Sequence, residues 1–229
     1  MNITLIIVAG GSGSRFGGPL PKQFCDLDGR PVLMRTIDSC RGAVAGMRII
    51  LVLSPEMTDY WDMLCDTLQF ESPEVVAGGA TRFESVQRGL RRVERDCDVV
   101  MVHDGARPFP SRDIFRRLIS AFDDPKCQGA LPAIALSDSI RRLNPDGSSE
   151  SVPRSSYRAV QTPQAFRAKL LIDANHRATA PAESYTDDAS VMEAAGYRRL
   201  ALVEGDSRNI KITNPGDLAL AAYYLGSEK

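Results

Sequence analysis

Short apolar runs rich in β-branched residues alternate with helix-like segments through the first half of the chain. The runs cover residues 3–8, 47–53, 74–77 and 98–102. Continuous runs of this length are typical of strands buried on both faces. We therefore predict an α/β fold, a Rossmann-like, mostly parallel sheet flanked by helices. Ligands of such sheets bind at the carboxyl ends of the strands. The loops after Val8, Ala77 and Val102 are thus the candidate binding loops.

Two of the predicted helices carry start signals. Residues 31–41 and 54–70 have helical patterns, and Ser54 and Pro55 fit the N-cap and first position of the second. Thr81 and Glu84 match the capping box of a third helix. Later segments complete the pattern, with helices predicted at 167–177 and 186–195, a strand at 198–203 and a last helix from Asn214.

The alternation breaks between residues 137 and 160. Polar residues there surround the turn sequence at 144–147, Asn-Pro-Asp-Gly. We predict a single domain over residues 1–229 with a hairpin arm at about 137–158. A mobile surface excursion is the alternative, because the arm has few apolar residues to bury.

Charge and cysteine usage exclude several function classes. Lys and Arg number 28 against 29 Asp and Glu, for a net charge of −1, so no overall basic field favours nucleic acid or a membrane surface. The five cysteines are widely spaced and only two histidines are present, which predicts reduced thiols and no zinc site. No segment approaches the roughly 20 apolar residues of a membrane span. We expect a cytoplasmic protein.

A glycine-rich segment directly follows the first predicted strand. Residues 9–16 read Ala-Gly-Gly-Ser-Gly-Ser-Arg-Phe, and closely spaced glycines let backbone N–H groups surround a phosphate. The segment is not a Walker A loop, and Phe16 excludes the dinucleotide fingerprint. Arg15 and the nearby Lys22 favour a phosphate loop over a turn without a ligand.

Further motifs stand at the other strand ends. Residues 78–85 contain a glycine turn that could read a base edge or simply start a capped helix. In the sequence His103 to Pro108, Asp104 is a candidate for sugar hydroxyls or a metal-bound water and Arg107 for a phosphate. A salt bridge between Asp104 and Arg107 is the alternative. The sequences at 162–164 and 209–213 close strand-like runs.

Together these motifs, in this order, resemble the 2-C-methyl-D-erythritol 4-phosphate cytidylyltransferases of the non-mevalonate isoprenoid pathway, nearly end to end. That family couples CTP to methylerythritol phosphate and has a nucleotide-diphospho-sugar transferase-like fold. The resemblance implies that the CTP phosphates lie against Ala9, Gly10, Gly11 and Gly13. It places the cytosine and ribose near Gly79, Arg82, Ser85 and Asp104. It implies a methylerythritol phosphate site formed by Asp104, Arg107, Ser139, Arg154, Thr162 and Lys211.

The resemblance also implies catalytic roles and partners. Arg15 and Lys22 would stabilise the transition state, and Arg154 and Lys211 would position the attacking phosphate. Mg²⁺ or another divalent cation would be held mainly by the CTP phosphates, with its protein ligands left open. The hairpin arm would exchange between the subunits of a homodimer, so Arg154 would serve the partner's site. Four positions depart from the family's commoner pattern: Ala80, Gly105, Ser139 and Pro153. Ser139 keeps a hydroxyl, Gly105 is expected only to widen its loop, and Pro153 restrains the backbone before Arg154.

Three other functions compete with this interpretation. Ribitol 5-phosphate cytidylyltransferases share most of the motifs, but residues 106–108 and Arg154 favour methylerythritol phosphate. A non-catalytic nucleotide-binding module should lack one or more of the four catalytic cations, and all four are present. A dehydrogenase is excluded by Phe16 and by the missing acid after the second strand.

The chemistry of the favoured reaction also fits the composition. A phosphate monoester is already anionic near neutral pH and needs no general base, which suits a chain with two histidines.

Overall fold

The computed structural model describes residues 1–10 and 20–227, apart from the side chain of Glu183. Ten strands are described: β1 Ile3–Ala9, β2 Arg48–Leu53, β3 Glu74–Ala77, β4 Val99–Asp104, β5 Gly129–Ala135, β6 Ile140–Leu143, β7 Ser149–Val152, β8 Arg158–Val160, β9 Gln164–Arg167 and β10 Leu200–Glu204. Seven α-helices are described: α1 Val32–Arg41, α2 Thr58–Leu68, α3 Arg82–Leu90, α4 Arg112–Ser120, α5 Ala168–Arg177, α6 Asp188–Ala194 and α7 Pro215–Gly226.

Eight of these strands form one mixed sheet with the order β10-β5-β9-β4-β1-β2-β3, and β8 pairs with β5. Neighbours from β4 through β1 and β2 to β3 are parallel, as are β5 and β10. Strand β9 is antiparallel to both β4 and β5. Because Val102 of β4 lies opposite Gln164, the residues that enter β9 lie beside the carboxyl end of β4.

The sheet is covered on both faces, as its apolar strands predict. Successive residues of β1 alternate between the two large apolar clusters: Leu5 and Ile7 pack with α1, α2 and α4, while Ile6 packs with α3, α5 and α6. A third, smaller cluster under α7 contains Leu27, Val32, Ile212 and Ala221. The predicted mostly parallel sheet flanked by helices is confirmed.

Several predicted boundaries shift. Strand β4 continues two residues past the predicted end at Val102, because His103 and Asp104 pair with Ile7 and Val8 of β1. The second helix starts as a 3-10 turn at Pro55–Met57, and Ser54 makes no side-chain cap. The Thr81 cap is present: its hydroxyl accepts from the Glu84 N–H at 3.1 Å. In a complete capping box Glu84 would accept from the Thr81 N–H, but it accepts from the Ala80 N–H at 2.7 Å. The reciprocal hydrogen bond is therefore made one residue earlier in the chain.

The predicted hairpin is present as a separate two-stranded sheet of β6 and β7. Its turn contains Gly147 at a φ of 84°, a conformation that favours glycine. All five cysteines are free thiols, four of them buried, as predicted. Within the part of the chain that the structure describes, every helix is too short or too polar to cross a bilayer.

Candidate active site

Asp104, the last residue of β4, is the centre of a cluster of cations. It is 7% exposed. Its Oδ2 atom lies 2.9 Å from Lys211 Nζ and 3.4 Å from Arg107 Nε, and its Oδ1 lies 3.6 Å from Arg82 Nε. Burial by itself would raise the pKa of Asp104, but Lys211, Arg82 and Arg107 together hold that pKa well below its usual range. Asp104 is therefore ionised at neutral pH. Its predicted salt bridge with Arg107 is present within a larger group.

Arg82 links Asp104 to a second buried carboxylate. Its Nη2 atom lies 2.7 Å from Asp188 Oδ2 at the start of α6. Burial would lower the pKa of Arg82, but Asp188 and Asp104 raise it. Burial also raises the pKa of Asp188, and Arg82 opposes that shift. Sequence reasoning missed Asp188 as a site residue, because an acid in the first turn of a helix has an ordinary explanation in capping.

Gln164 fixes α6 to the sheet. Its side-chain amide donates to Asp187 Oδ2 at 2.8 Å and accepts from Ala189 N–H at 3.2 Å. Asp187 in turn caps the helix by accepting from Ser190 N–H. The glutamine of the Thr-Pro-Gln motif therefore positions the helix that presents Asp188 to Arg82.

Thr162 and His103 form a buried chain of hydrogen bonds next to Asp104. The Asp104 N–H donates to Thr162 Oγ1 at 3.1 Å. That hydroxyl lies 2.9 Å from His103 Nδ1, and His103 Nε2 lies 3.1 Å from the carbonyl oxygen of Arg107. Burial lowers the pKa of His103 to about 4, so the ring is neutral at physiological pH.

The segment 209–213 delivers Lys211 to this cluster. Asn209 donates from Nδ2 to the Thr162 carbonyl at 2.8 Å, and its own carbonyl accepts from Arg107 at 2.7 Å. The Ile212 N–H donates to the carbonyl of Ala106 at 2.9 Å. Three of the predicted motifs thus meet at one place, although the residues come from distant parts of the chain.

The ends of β1 and β3 form the second half of the candidate site. Gln23 donates to the Ala9 carbonyl at 2.6 Å, which ties the Pro-Lys-Gln segment, and with it Lys22, to the end of β1. Ser85 Oγ accepts from Gly79 N–H at 3.1 Å. A Cβ on Gly10 would lie 3.3 Å from the same hydroxyl. Gly11, Gly13 and Arg15 lie outside the described residues.

Ser139 and Arg154 do not join this cluster within one chain. Both are exposed on or beside the hairpin arm, and Arg154 donates to the carbonyl of Ser137. No hydrogen bond or ion pair connects either residue to Asp104 among the residues described.

Gly105 does not simply widen its loop, so that expectation is wrong. A Cβ there would lie 3.0 Å from both Ala9 Cβ and Leu33 Cδ1, and 3.2 Å from the Val8 carbonyl oxygen. The glycine permits close packing of the loop after β4 against the end of β1.

This chain is similar to known proteins in both sequence and fold. The family model for 2-C-methyl-D-erythritol 4-phosphate cytidylyltransferase matches residues 3–227. The chain belongs to this family. The cytidylyltransferase of that name from Phocaeicola vulgatus is 46% identical over 222 residues, which cover 96% of this chain and 98% of the relative. The one from Bacteroides thetaiotaomicron is 43% identical over 226 residues, 98% of this chain and 100% of the relative.

Solved structures agree with the sequence comparison. 4-Diphosphocytidyl-2C-methyl-D-erythritol synthase from Anaerococcus prevotii has a TM-score of 0.81 at 28% identity, covering 98% of each chain. The 2-C-methyl-D-erythritol 4-phosphate cytidylyltransferase from Thermus thermophilus has a TM-score of 0.73 at 30% identity, covering 96% of this chain and 98% of that one. The predicted family, the fold and the class of enzyme, a nucleotidyltransferase, are confirmed.

In this cytidylyltransferase the predicted site residues that the structure describes fall into three groups. Those gathered at the end of β4 are Arg82, Asp104, Arg107, Thr162 and Lys211. Those at the ends of β1 and β3 are Ala9, Gly10, Lys22, Gly79 and Ser85. Those on the arm are Ser139 and Arg154. Among the described residues, no group of three His, Cys, Asp or Glu side chains is arranged to hold a metal.

Proposed function

We propose that this cytidylyltransferase transfers CMP from CTP to 2-C-methyl-D-erythritol 4-phosphate, giving 4-diphosphocytidyl-2-C-methyl-D-erythritol and pyrophosphate. The observation that most strongly supports this proposal is the cation cluster around Asp104, which lies at the carboxyl ends of the strands. A reaction between two phosphorylated substrates requires neutralisation of their charge and in-line positioning, which such a cluster supplies.

In the proposed reaction an oxygen of the methylerythritol phosphate attacks the α-phosphorus of CTP. The bond between the α-phosphorus and the bridging oxygen breaks, and pyrophosphate leaves with the electron pair. The attacking phosphate has a second pKa of about 6, so it is anionic at neutral pH without help from a base. This agrees with the site, where both ring nitrogens of His103 are already hydrogen-bonded.

Lys211 and Arg82 are the cations of the cluster that substrate phosphates can reach most readily. The Lys211 side chain is 41% exposed and that of Arg82 is 31% exposed. Each would exchange part of its interaction with Asp104 for a phosphate oxygen, a charge-assisted contact of the same kind. Lys22, held beside Ala9 through Gln23, is proposed to act on the triphosphate together with Arg15.

A divalent cation such as Mg²⁺ is part of the proposal. Mg²⁺ in nucleotide sites usually takes one or two carboxylates plus phosphate oxygens. Asp104 and Asp188 are both already paired with cations, so these residues fit an ion that would be held mainly by the CTP phosphates. Such an ion would neutralise part of the triphosphate charge.

The arm is proposed to complete the site of a second subunit. Among the described residues, Arg154 makes no hydrogen bond or ion pair with the Asp104 cluster of its own chain and donates instead to Ser137. Two apolar side chains of the arm, Leu143 and Tyr157, are 80% and 45% exposed, which another chain would bury. We therefore propose a homodimer in which Arg154 and Ser139 serve the partner's methylerythritol phosphate. We also propose a cytoplasmic location.

A pyrophosphate-release assay tests the reaction. The purified chain is given CTP and Mg²⁺ with either methylerythritol phosphate or ribitol 5-phosphate, and ATP replaces CTP as a control. We expect release with CTP and methylerythritol phosphate, and far less with the other combinations. Faster release with ribitol 5-phosphate would overturn the substrate assignment. No release with either acceptor would overturn the function.

A further inference from the structure

The ring of His103 is fully buried, and the proposed reaction assigns it no role. It lies in β4 directly before Asp104, with 0% of its surface exposed. Its Nε2 atom faces the carbonyl oxygen of Arg107 at 3.1 Å. A carbonyl can only accept a hydrogen bond, so Nε2 must carry the proton.

The tautomer of His103 then fixes the hydrogen bond on the other side of the ring. A neutral ring with its proton on Nε2 has a bare Nδ1, which can only accept. The partner of Nδ1 at 2.9 Å is Thr162 Oγ1, so the threonine must donate its single hydroxyl proton to the ring. The ring is fully buried and its partners are a carbonyl and a hydroxyl rather than a carboxylate, which is the environment of a neutral imidazole.

Thr162 is therefore left with acceptor capacity only. One lone pair of its hydroxyl accepts from the Asp104 N–H at 3.1 Å. Its hydroxyl proton is directed at His103, so the remaining lone pair is the only hydrogen-bonding capacity that it can offer to a ligand.

We propose that His103 is a positioning residue: it binds the hydroxyl proton of Thr162, so that the Thr162 oxygen can only accept hydrogen bonds from other groups. Thr162 then fixes the backbone at Asp104 and accepts a hydrogen bond from a hydroxyl of methylerythritol phosphate. The proposal rests on the proposed function, which places methylerythritol phosphate near Thr162. It also predicts which substrate group Thr162 binds. A polyol hydroxyl can donate to the Thr162 oxygen, whereas an unprotonated phosphate oxygen would bring its own lone pair against that of Thr162. Phosphate recognition is left to the cations.

The hydrogen-bond direction can be measured on the unmodified protein. Only two histidines are present, and His176 is exposed on α5, so ¹⁵N NMR resolves both rings and His176→Gln identifies His103 by elimination. We expect His103 to show a protonated Nε2 and a bare Nδ1 at pH 7. A ring protonated on Nδ1, or a doubly protonated ring, would overturn the proposal.

Kinetics of paired substitutions test the functional part. His103→Asn places an amide oxygen near the position of Nδ1 and keeps the acceptor for Thr162, whereas His103→Gln keeps only a group near Nε2. We expect His103→Gln to raise the KM for methylerythritol phosphate about tenfold, the effect of one hydrogen bond. His103→Asn should stay within about threefold of wild type, and the KM for CTP should change little in either variant.

A role confined to folding predicts a different pattern. It would raise the KM values of both substrates together, or make Asn and Gln equally harmful, and either result would overturn the proposal. In a Thr162→Val background, His103→Gln should cause no further rise in KM, because the two residues act through one hydrogen bond. An undiminished rise there would contradict action through Thr162.

The two proposals can fail separately. If wild-type protein releases no pyrophosphate with any acceptor, the proposed function fails while the NMR result still decides the tautomer and the direction of the Thr162 hydrogen bond. If the enzyme is active on methylerythritol phosphate but Asn and Gln at position 103 are equivalent, only the positioning role fails.

Discussion

The end of β4 and the hairpin arm both carry charged side chains, but the chain organises them in opposite ways. Asp104 is buried and contacts cations from three separate segments. On the arm, the contacts of Arg141 and Arg142 are with Ser149 and Glu150 of the neighbouring strand, and Arg154 contacts the nearby Ser137. The strand-end cluster is thus built by long-range folding, whereas the arm is built by local pairing.

This difference separates two ways of preparing a site. Buried polar groups at the strand ends must be satisfied within the fold, so their geometry is set before a substrate arrives. Exposed groups on the arm gain little from their local contacts and stay available to another surface. The following variants test that contrast from the largest expected effect to the smallest.

Asp104→Asn tests the strand-end cluster most severely. Loss of the carboxylate removes the charge that gathers Arg82, Arg107 and Lys211, so we expect kcat/KM to fall by about 10² to 10³, as for removal of a comparable electrostatic group. Pyrophosphate release provides the measurement, and urea unfolding reports any accompanying loss of stability. Asp113→Asn, an exposed acid paired with Arg116 on α4, is the matched control and should keep wild-type activity. Retained activity in Asp104→Asn would contradict the central role of the cluster.

Mixing inactive subunits tests the arm. We expect Arg154→Ala and Lys22→Ala proteins each to lose most activity alone. If Arg154 acts in the partner's site, their mixture should recover about a quarter of wild-type turnover, since half of the dimers are mixed and one of their two sites is intact. Subunit exchange is verified with two differently tagged chains. Exchange without recovery would show that each site is completed by a single chain.

The buried His103 should make stability depend on pH. Its folded pKa is about 4 against an ordinary value of 6.5, so the unfolded state binds more protons between these values and stability falls as the pH decreases from 6.5 to 4. We expect wild type to lose about 2 kcal/mol more than His103→Asn between pH 7 and pH 4.5. Urea unfolding at pH 7 and pH 4.5 provides the comparison. The exposed His176→Gln should retain the wild-type dependence, and equal pH profiles for wild type and His103→Asn would refute the assignment.

The smallest effect is expected on the arm itself. Glu150 pairs with Arg142 across β6 and β7, and both side chains are about half exposed or more. Glu150→Gln should therefore change the free energy of unfolding by less than about 1 kcal/mol. Chemical denaturation measures this, and a loss of several kcal/mol would mean that the arm is packed more tightly than the single chain indicates.

The sequence predicted the parts of the fold that depend on local pattern. Strands β1, β2 and β4 were recognisable because their apolar runs are largely buried, and the partly buried β3 continues the same pattern. The motif at Asp104 stood out because it follows one of these runs. Strands β5 and β9 lack such runs: β5 contains Gly129 and Pro132, and β9 has four residues. The antiparallel course of β9 depends on pairing partners far along the chain.

Parts of the candidate site were not predicted for the same reason, because they depend on contacts between distant segments. Asp188 meets Arg82 only because Gln164 fixes α6 to β9, a relationship that no local spacing encodes. The family resemblance supplied the predicted roles of Lys22, Arg154 and Ser139, and these roles stay predictions. The tautomer of His103 required the positions of the Arg107 carbonyl and the Thr162 hydroxyl.

The order of these contacts along the chain has a consequence for synthesis on the ribosome. The buried members of the two large apolar clusters end at Ala165 and Met192, whereas Lys211 and the anchoring Asn209 emerge later. A nascent chain can therefore assemble its hydrophobic layers while the buried Asp104 still lacks one cation, and an incompletely paired buried charge is costly. The carboxyl end of β4 should be among the last regions to close during translation.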